Sequence, residues 1–483
     1  MLFEKLTEYN KLPTKIKFYK YKYMILYIYN KLYETQMNEL KLFRENQDYQ
    51  VITYLVSENE DYFSIKNYID NLYNTNNNLK YVLIFGNIED VPTLMKSGTG
   101  ESSQYQTSLN YNYTSAASDI SYATINDELK LYIGRLVAGD NIYNTINELT
   151  DEEKITNIQN QIDKIKSYEY LIDDLISNYQ NLDLTNYKHI VGIASNEGPG
   201  IDNLNDNEFI RSELLKYNNI DFNFTELFQG TLENTNTDSN NNYDLSGDPN
   251  YINLVNSINE GLSLLLYTGH ANETSLSTTN FSVLNVDELN ENNLLFLACI
   301  VGCSLGSYDE RYLSLSEKLQ IAKNKGSIAI FSSSVLQTWV PPMYIQRTLN
   351  EQIINSKSTM TIGELFNESI SVKEFKDSYD YWFYNLLGDP CTRYILTVPE
   401  LRYKKVYKGD FTGKGYFDNT DIKFLAKYLV NDVNTLNEVS QISNFEYIAD
   451  FKSNGVINIC DLVQAENSLI NINGFNIEEF KYM

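Results

Sequence analysis

The sequence predicts an α/β protein built on a mostly parallel sheet, and three observations predict it. First, four runs rich in Ile, Val, Leu and Phe are short, continuous and bounded by Gly, Asn and Ser: HIVGIASNE (189–197), GLSLLLYTGH (261–270), LLFLACIVGC (294–303) and GSIAIFSSSVLQTW (326–339). Such runs fit strands buried on both faces of a parallel sheet, where polar alternation is lost. Second, helix-type segments separate apolar runs along most of the chain, the rhythm of strand–helix–strand units. Third, three of the runs break off in Glu197, His270 and Cys303, residues able to do chemistry. In open α/β sheets the ligand crevice lies outside the carboxyl ends of the strands, so side chains at those ends converge. An active site is expected at that rim.

The elements follow in order. After an N-terminal extension (1–23), MILYIY (24–29) reads as a strand, NKLYETQMNELKLFREN (30–46) as a helix and YQVITYLV (49–56) as a strand. The helix SIKNYIDNLYN (64–74) and the strand YVLIFG (81–86) continue the rhythm. A Ser, Gly and Asn-rich surface loop (97–118), the segment LKLYIGRL (129–136) and a polar helix ending near Tyr168 complete a first α/β subdomain, 24–170. A second series, 187–399, carries the four runs and is interrupted by the low-complexity insertion NTNTDSNNNYD (234–244).

At 483 residues the chain exceeds what one core sustains, so two or three domains are expected. The formal net charge of −26 repels nucleic acid and anionic lipid surfaces, so basic or neutral partners are favoured and nucleic acid is not expected as one. No run approaches the roughly 18 apolar residues of a membrane span. The N-terminus shows no signal peptide, which leaves a cytosolic protein, export by another route, or a sequence given without its leader. Cys299, Cys303, Cys391 and Cys460 lack CxxC spacing and are too few for a disulfide framework.

Beyond Pro399 two related segments repeat, GDFTGKGYFDNTDIKFLAKYLV (409–430) and ADFKSNGVINICDLVQAENSLI (449–470). Counted from Asp410 and Asp450, each has Asp first, Gly sixth, an apolar residue eighth and Asp twelfth, the spacing of EF-hand calcium loops, followed by an amphipathic helix. The second loop has Lys452 where an oxygen-bearing ligand is expected but keeps Asp450, Asn454, Asn458 and Asp461, oxygen donors for a weak structural calcium site. The first keeps Asp410, Asp418 and Asp421 but has Thr412 and Lys414, and an ammonium cannot coordinate a cation.

Cys303 opens a turn, CSLGSY (303–308), that exposes its thiol, whereas Cys299 sits inside the apolar run as a small hydrophobe. Either cysteine by itself also fits a core role. Of only two histidines, His189 starts its strand at the wrong edge of the sheet, which leaves His270 as the base, or as a cap on a neighbouring element. Thiol and imidazole together suit acyl transfer, the sulfur attacking a carbonyl and the imidazolium protonating the leaving amine. Glu197 suits the third role, orienting the imidazole; it equally suits a turn former or a calcium ligand.

Taken together, YTGHANETS (267–275), ACIVGCSLGSYD (298–309) with SLSEKL (314–319), GIASNEGPG (192–200), IAIFSSSVLQTWVPPM (328–343) and LLGDP (386–390) resemble the gingipain family of caspase-like cysteine peptidases. The likeness runs over roughly residues 24–399 and includes YVLIFG, SDISYA (118–123) and LYIGRL (131–136). It implies a caspase-hemoglobinase α/β/α sandwich in two subdomains and cleavage of peptide bonds after Arg or Lys, with no catalytic cofactor. Matched position by position, it makes Cys303 the nucleophile, His270 the base, Glu197 the orienting acid and Trp339 a wall of the P1 pocket. The amides of Cys303 and Ala271 would form the oxyanion hole, although the family usually has Gly at the latter position. The segment after Glu197 is shorter than its counterparts, so the pocket acid falls on Asp202, Asp206 or Glu208.

The C-terminal repeat (405–475) resembles a dockerin, a small all-α module, which implies a cohesin-type partner and an extracellular setting. A metal-free helix pair packed on its own chain is the alternative. The rival reading for the whole chain is an inactive peptidase fold kept as a binding or assembly module. A nucleotide-binding protein is disfavoured, because neither GxGxxG nor GxxxxGK[ST] follows any strand.

Overall fold

The computed structural model describes residues 23–96, 116–140, 149–178, 186–220, 222–232, 244, 247–291, 294–309, 313–402, 409, 411, 419–432, 435–436, 439, 445, 449–451 and 456–470. Residues 1–22 of the N-terminal extension, most of the expected loop at 97–118 and insertion at 234–244, and Asp410, Asp418 and Asn454 lie outside the described residues. Two compact units divide the chain, Met1–Val398 and Pro399–Met483.

The first unit is built on ten strands: β1 (Met24–Tyr29), β2 (Gln50–Leu55), β3 (Leu79–Phe85), β4 (Tyr132–Leu136), β5 (His189–Ala194), β6 (Asn223–Phe228), β7 (Leu264–Thr268), β8 (Phe296–Val301), β9 (Ser327–Ser333) and β10 (Tyr384–Leu387). They form one sheet in the order β6-β5-β7-β8-β9-β10-β4-β3-β1-β2. Every pairing is parallel except that of β9 with β10. The longer helices among the described residues of the first unit are α1 (Glu34–Glu45), α2 (Tyr62–Thr75), α3 (Asp151–Asn178), α4 (Asp206–Leu215), α5 (Tyr251–Glu260), α6 (Leu315–Ile321), α7 (Val340–Asn355) and α8 (Ile362–Ile370).

The apolar runs become strands for the expected reason. Every residue of β7 and β8 is buried, so each side chain meets a packed neighbour whichever face it points to. Leu254, Val255 and Ile258 of α5 and Leu315 and Leu319 of α6 pack with Ile193, Leu265, Tyr267 and Ile300. Ile65 and Ile69 of α2 pack with Leu26, Ile28, Val82 and Ile84. Burying one such aliphatic side chain contributes roughly 1.5–3 kcal/mol, against about 0–1 kcal/mol for an exposed ion pair, so the core and not the charged surface fixes strand register. Helix starts are set locally: Asn205 with Glu208, Ser314 with Glu317 and Thr361 with Glu364 form capping boxes.

Two features differ from the expectation. The stretches 24–170 and 187–399 contribute to a single sheet, because β10 runs antiparallel to β9 and continues into β4 through Leu387 opposite Arg135. Helix α3 runs past Tyr168 to Asn178 because Tyr168, Ile172 and Leu175 are buried and Glu169 is needed inside. Arg44 of α1 lies 3.0 Å from Glu169 and 2.5 Å from Asp389 of the LLGDP motif, and Arg393 lies 2.6 Å from Glu169. Arg44, Glu169 and Asp389 have fully buried side chains.

The second unit contains helices α9 (Asn419–Leu429) and α10 (Ile459–Ile470), with Phe411, Leu425, Phe445, Ala449 and Ala465 in its core. The twelfth-position aspartates are buried and bond their own loops: the Phe411 amide donates to Asp421 Oδ1 (3.0 Å) and the Asn458 amide to Asp461 Oδ2 (2.9 Å). Among the described residues no helix is long and apolar enough to cross a membrane.

Candidate active site

At the rim, three neighbouring strands end in register. Thr268 of β7 pairs with Ala194 of β5 on one side and Val301 of β8 on the other. The ladder continues one step further: the Ser195 amide donates to Thr268 O (3.0 Å) and the Gly269 amide to Val301 O (3.1 Å). His270 and Cys303 therefore each stand two residues past a paired position, and Glu197 leaves the third strand beside them. Gly302 lets the histidine and cysteine loops touch, since a Cβ there would lie 3.0 Å from Ala271 Cβ and 3.3 Å from Gly269 O.

His270 Nε2 lies 3.0 Å from Glu197 Oε2, with side chains 61% and 46% exposed. The imidazole meets Trp339 edge to face, centroids 5.6 Å apart, and Tyr267 OH donates to the His270 carbonyl. Tyr267 was not singled out from sequence; its place immediately before TGH, inside a buried strand, is that of a core residue. Ala271 begins the short strand Ala271–Asn272, in an ordinary region of backbone space. The residue after Cys303, Ser304, has φ +57°, a left-handed conformation uncommon for a non-glycine, and marks a sharply turned loop.

Cys303 is partly exposed. Its burial pushes the thiol pKa up, Asp380 and Glu273 add to this, and the backbone amide of Gln337 opposes it. An already acidified thiol, expected of an activated cysteine, is not what this environment produces. Cys299, buried in β8, is pushed up to about 12. His189 has both ring nitrogens occupied at the start of β5, Nδ1 with Gly261 O (2.8 Å) and Nε2 with Thr225 Oγ1 (2.9 Å), a structural role.

The three acids after Glu197 go to different places. Asp202 pairs with Arg347 at 2.6 Å, its side chain 62% exposed. Glu208 accepts the Asn205 amide (2.8 Å) in the capping box of α4. Asp206 is fully buried; Ser195 Oγ donates to its Oδ2 (2.7 Å), and Oδ1 has no hydrogen-bond partner among the described residues. Burial raises its pKa to about 7, with the Glu197 charge adding to the rise and Ser195 and the facing Trp339 indole opposing it. The Trp339 Nε1 is likewise buried without a partner within bonding geometry.

The fold class is that of the gingipain caspase-like α/β proteins. The chain superposes on the Arg specific cysteine proteinase gingipain R with a TM-score of 0.59 at 20% identity, covering 77% of this chain and 78% of that one. It superposes on the complex of Porphyromonas gingivalis RgpB pro- and mature domains with a TM-score of 0.58 at 21% identity, covering 77% and 79%. Residues 19–395 match the profile described as Peptidase family C25, and the chain belongs to that family, one of cysteine-type endopeptidases. It is 32% identical over 162 residues to Gingipain R2 and to Gingipain R1 of Porphyromonas gingivalis, 30% of this chain in each case. It spans 22% and 16% of the length of those relatives.

Proposed function

We propose that the chain hydrolyses peptide bonds after a basic P1 residue, with Cys303 as nucleophile and His270 as proton carrier. The observation that carries the reading is the shared register of Thr268 and Val301, which sends His270 and Cys303 off neighbouring strands at the same rim, with Glu197 on the imidazole. Because Nε2 faces Glu197, Nδ1 is the nitrogen left to handle substrate protons. The Cys303 sulfur attacks the scissile carbonyl carbon as its proton passes to the imidazole, which fits a thiol whose pKa burial has raised. The amides of Ala271 and Cys303 receive the oxyanion. His270 then protonates the leaving amine, the C–N bond breaks, and water activated by the same imidazole hydrolyses the thioester.

Of the candidate acids, Asp206 suits the P1 pocket. Asp202 and Glu208 are engaged with Arg347 and the α4 cap, whereas the Asp206 oxygen that Ser195 does not reach faces only the Trp339 indole among the described residues. A buried carboxylate beside an aromatic wall suits a guanidinium or ammonium, which supplies the missing donor.

For the C-terminal unit the reading is a dockerin-like module that binds calcium and a cohesin-type domain outside the cell. Its support is a pair of exposed apolar residues on one face of α10, Ile459 and Val463, with Val456 exposed just before the helix, and the oxygen donors Asp450, Asn458 and Asp461 near them in sequence. Calcium that fails to raise the melting temperature of the full chain would count against the metal.

The peptidase is tested with an affinity probe carrying Arg at P1 and an electrophilic carbon, followed by mapping of the labelled residue. Label on Cys303, its loss in Cys303→Ala and its persistence in Cys299→Ala are expected. Label on Cys299, or faster turnover of Asp or Leu than of Arg in a P1 peptide panel, would overturn the assignment.

A further inference from the structure

The stretch between β9 and α7, residues 334–339, carries two groups of the site yet belongs to no helix or strand, so it has no ladder of its own to hold it. Its first residue is tied down: the Ser334 amide donates to Phe383 O (2.9 Å) and its hydroxyl to Ala117 O (2.8 Å). Val335 O accepts the Ser304 amide (2.9 Å), which joins the stretch to the residue after the nucleophile. Further along, the Gln337 amide faces the Cys303 sulfur, and Trp339 faces both His270 and Asp206.

A buried carboxylate holds that second half. Asp380, on the turn Tyr379–Phe383, has no exposed surface, and it spends both oxygens on Thr338: the amide donates to Oδ1 (3.0 Å) and the hydroxyl to Oδ2. A buried carboxylate is tolerated only where hydrogen bonds replace its water, so the pairing is strongly directional. Thr338 stands between Gln337 and Trp339, and holding its amide and hydroxyl together leaves neither neighbour free to swing.

We propose that Asp380 is a positioning residue for the nucleophile and the P1 pocket at once, acting through Thr338 to aim the Gln337 amide at Cys303 and the Trp339 indole over Asp206. The inference rests on the peptidase reading above for its catalytic consequence, but the clamp itself is readable from the thiol. Two acids face Cys303, Asp380 and Glu273, and both raise its pKa through their charge. Asp380 thus acts on the thiol twice, by charge and by aiming the Gln337 donor. Asp380→Asn and Asp380→Ala both remove the charge, but only Asn keeps an acceptor for Thr338, so the difference between the two variants isolates the clamp.

The test uses the full chain. Alkylation of Cys303 by iodoacetamide is followed against pH, read on the Cys303 peptide by mass spectrometry, beside kcat and KM on a P1-Arg peptide. Asp380→Ala should show an alkylation midpoint at higher pH than Asp380→Asn, and a kcat/KM lower than that of Asp380→Asn by roughly tenfold or more. Equal midpoints and equal kcat/KM in the two variants would overturn the proposal. Should Asp380→Ala fail to fold, Thr338→Val against Thr338→Ser makes the same comparison, Ser keeping the hydroxyl and Val losing it; equal values there overturn it as well. If the wild-type chain cleaves no P1-Arg peptide, the peptidase reading fails, while the alkylation midpoints still decide whether the clamp exists.

Discussion

His270 Nε2 and Glu197 Oε2 stand 3.0 Å apart, yet about half of each side chain faces solvent. Water screens such a pair, and exposed ion pairs contribute about 0–1 kcal/mol. The contact therefore brings small energetic gain, and in the proposed mechanism Glu197 serves to orient the imidazole. Glu197→Ala should lower kcat by about fivefold to tenfold with little change in KM, the loss shrinking in high salt. His270→Ala removes the proton carrier and should cost about 10²-fold to 10⁴-fold. Steady-state kinetics at two salt concentrations check both, and equal losses for the two variants would mean that Glu197 does more than orient.

If Asp206 lines the P1 pocket as proposed, it couples specificity to pH. Its carboxyl titrates at about 7 in the folded chain, above the ordinary range of about 3.9 for an unfolded aspartate. A cationic P1 group is attracted by the carboxylate and not by the acid, so kcat/KM for an Arg substrate should fall relative to a neutral P1 substrate as pH drops through 7. Taking the ratio of the two substrates cancels titration of the catalytic groups. Asp206→Asn should flatten that ratio against pH.

The same carboxyl makes a stability prediction of opposite sense. A raised pKa means that the folded state keeps a proton the unfolded chain releases, so Asp206 costs stability progressively from about pH 4 to pH 7 and fully above it. Asp206→Asn should melt at a higher temperature than wild type at pH 8 and nearly with it at pH 4. A more stable variant that has lost Arg preference would identify a group kept for function. Glu208→Ala is the control: it removes half of a capping box and should cost about 1 kcal/mol without altering P1 preference.

The buried network around Arg44 predicts a large loss from a residue far from the chemistry. Arg44→Ala leaves Asp389 and Glu169 in the interior, Glu169 keeping only Arg393 and Asp389 keeping no cation among the described residues. Removing one partner of a buried ion pair costs about 3–5 kcal/mol. Urea denaturation followed by tryptophan fluorescence measures it, and a loss under about 1 kcal/mol would show that the network tolerates rearrangement.

Much of this was legible along the chain. Continuous apolar runs give buried strands wherever they fall, because no polar alternation commits one face to water, and the run ends place Glu197, His270 and Cys303 at one rim by strand direction alone. What sequence left open were matters of side-chain direction and of partners distant along the chain. Asp202, Asp206 and Glu208 lie within seven residues of one another and differ only in which way the helix start turns them: to Arg347, to the interior, and to the cap. Asp380 carries no signal in YDYW, since its partner Thr338 precedes it by 42 residues.

By itself the sequence determined the apolar parallel strands and the three groups that leave the carboxyl ends of β5, β7 and β8, because these follow from local patterning and strand direction; β6 and β10 carried no such signal. Tertiary structure decided which acid faces the Trp339 indole, how the Cys303 thiol is poised and how β10 merges two stretches into one sheet. Those outcomes depend on burial and on hydrogen bonds between distant segments, and neither exists until the chain has packed.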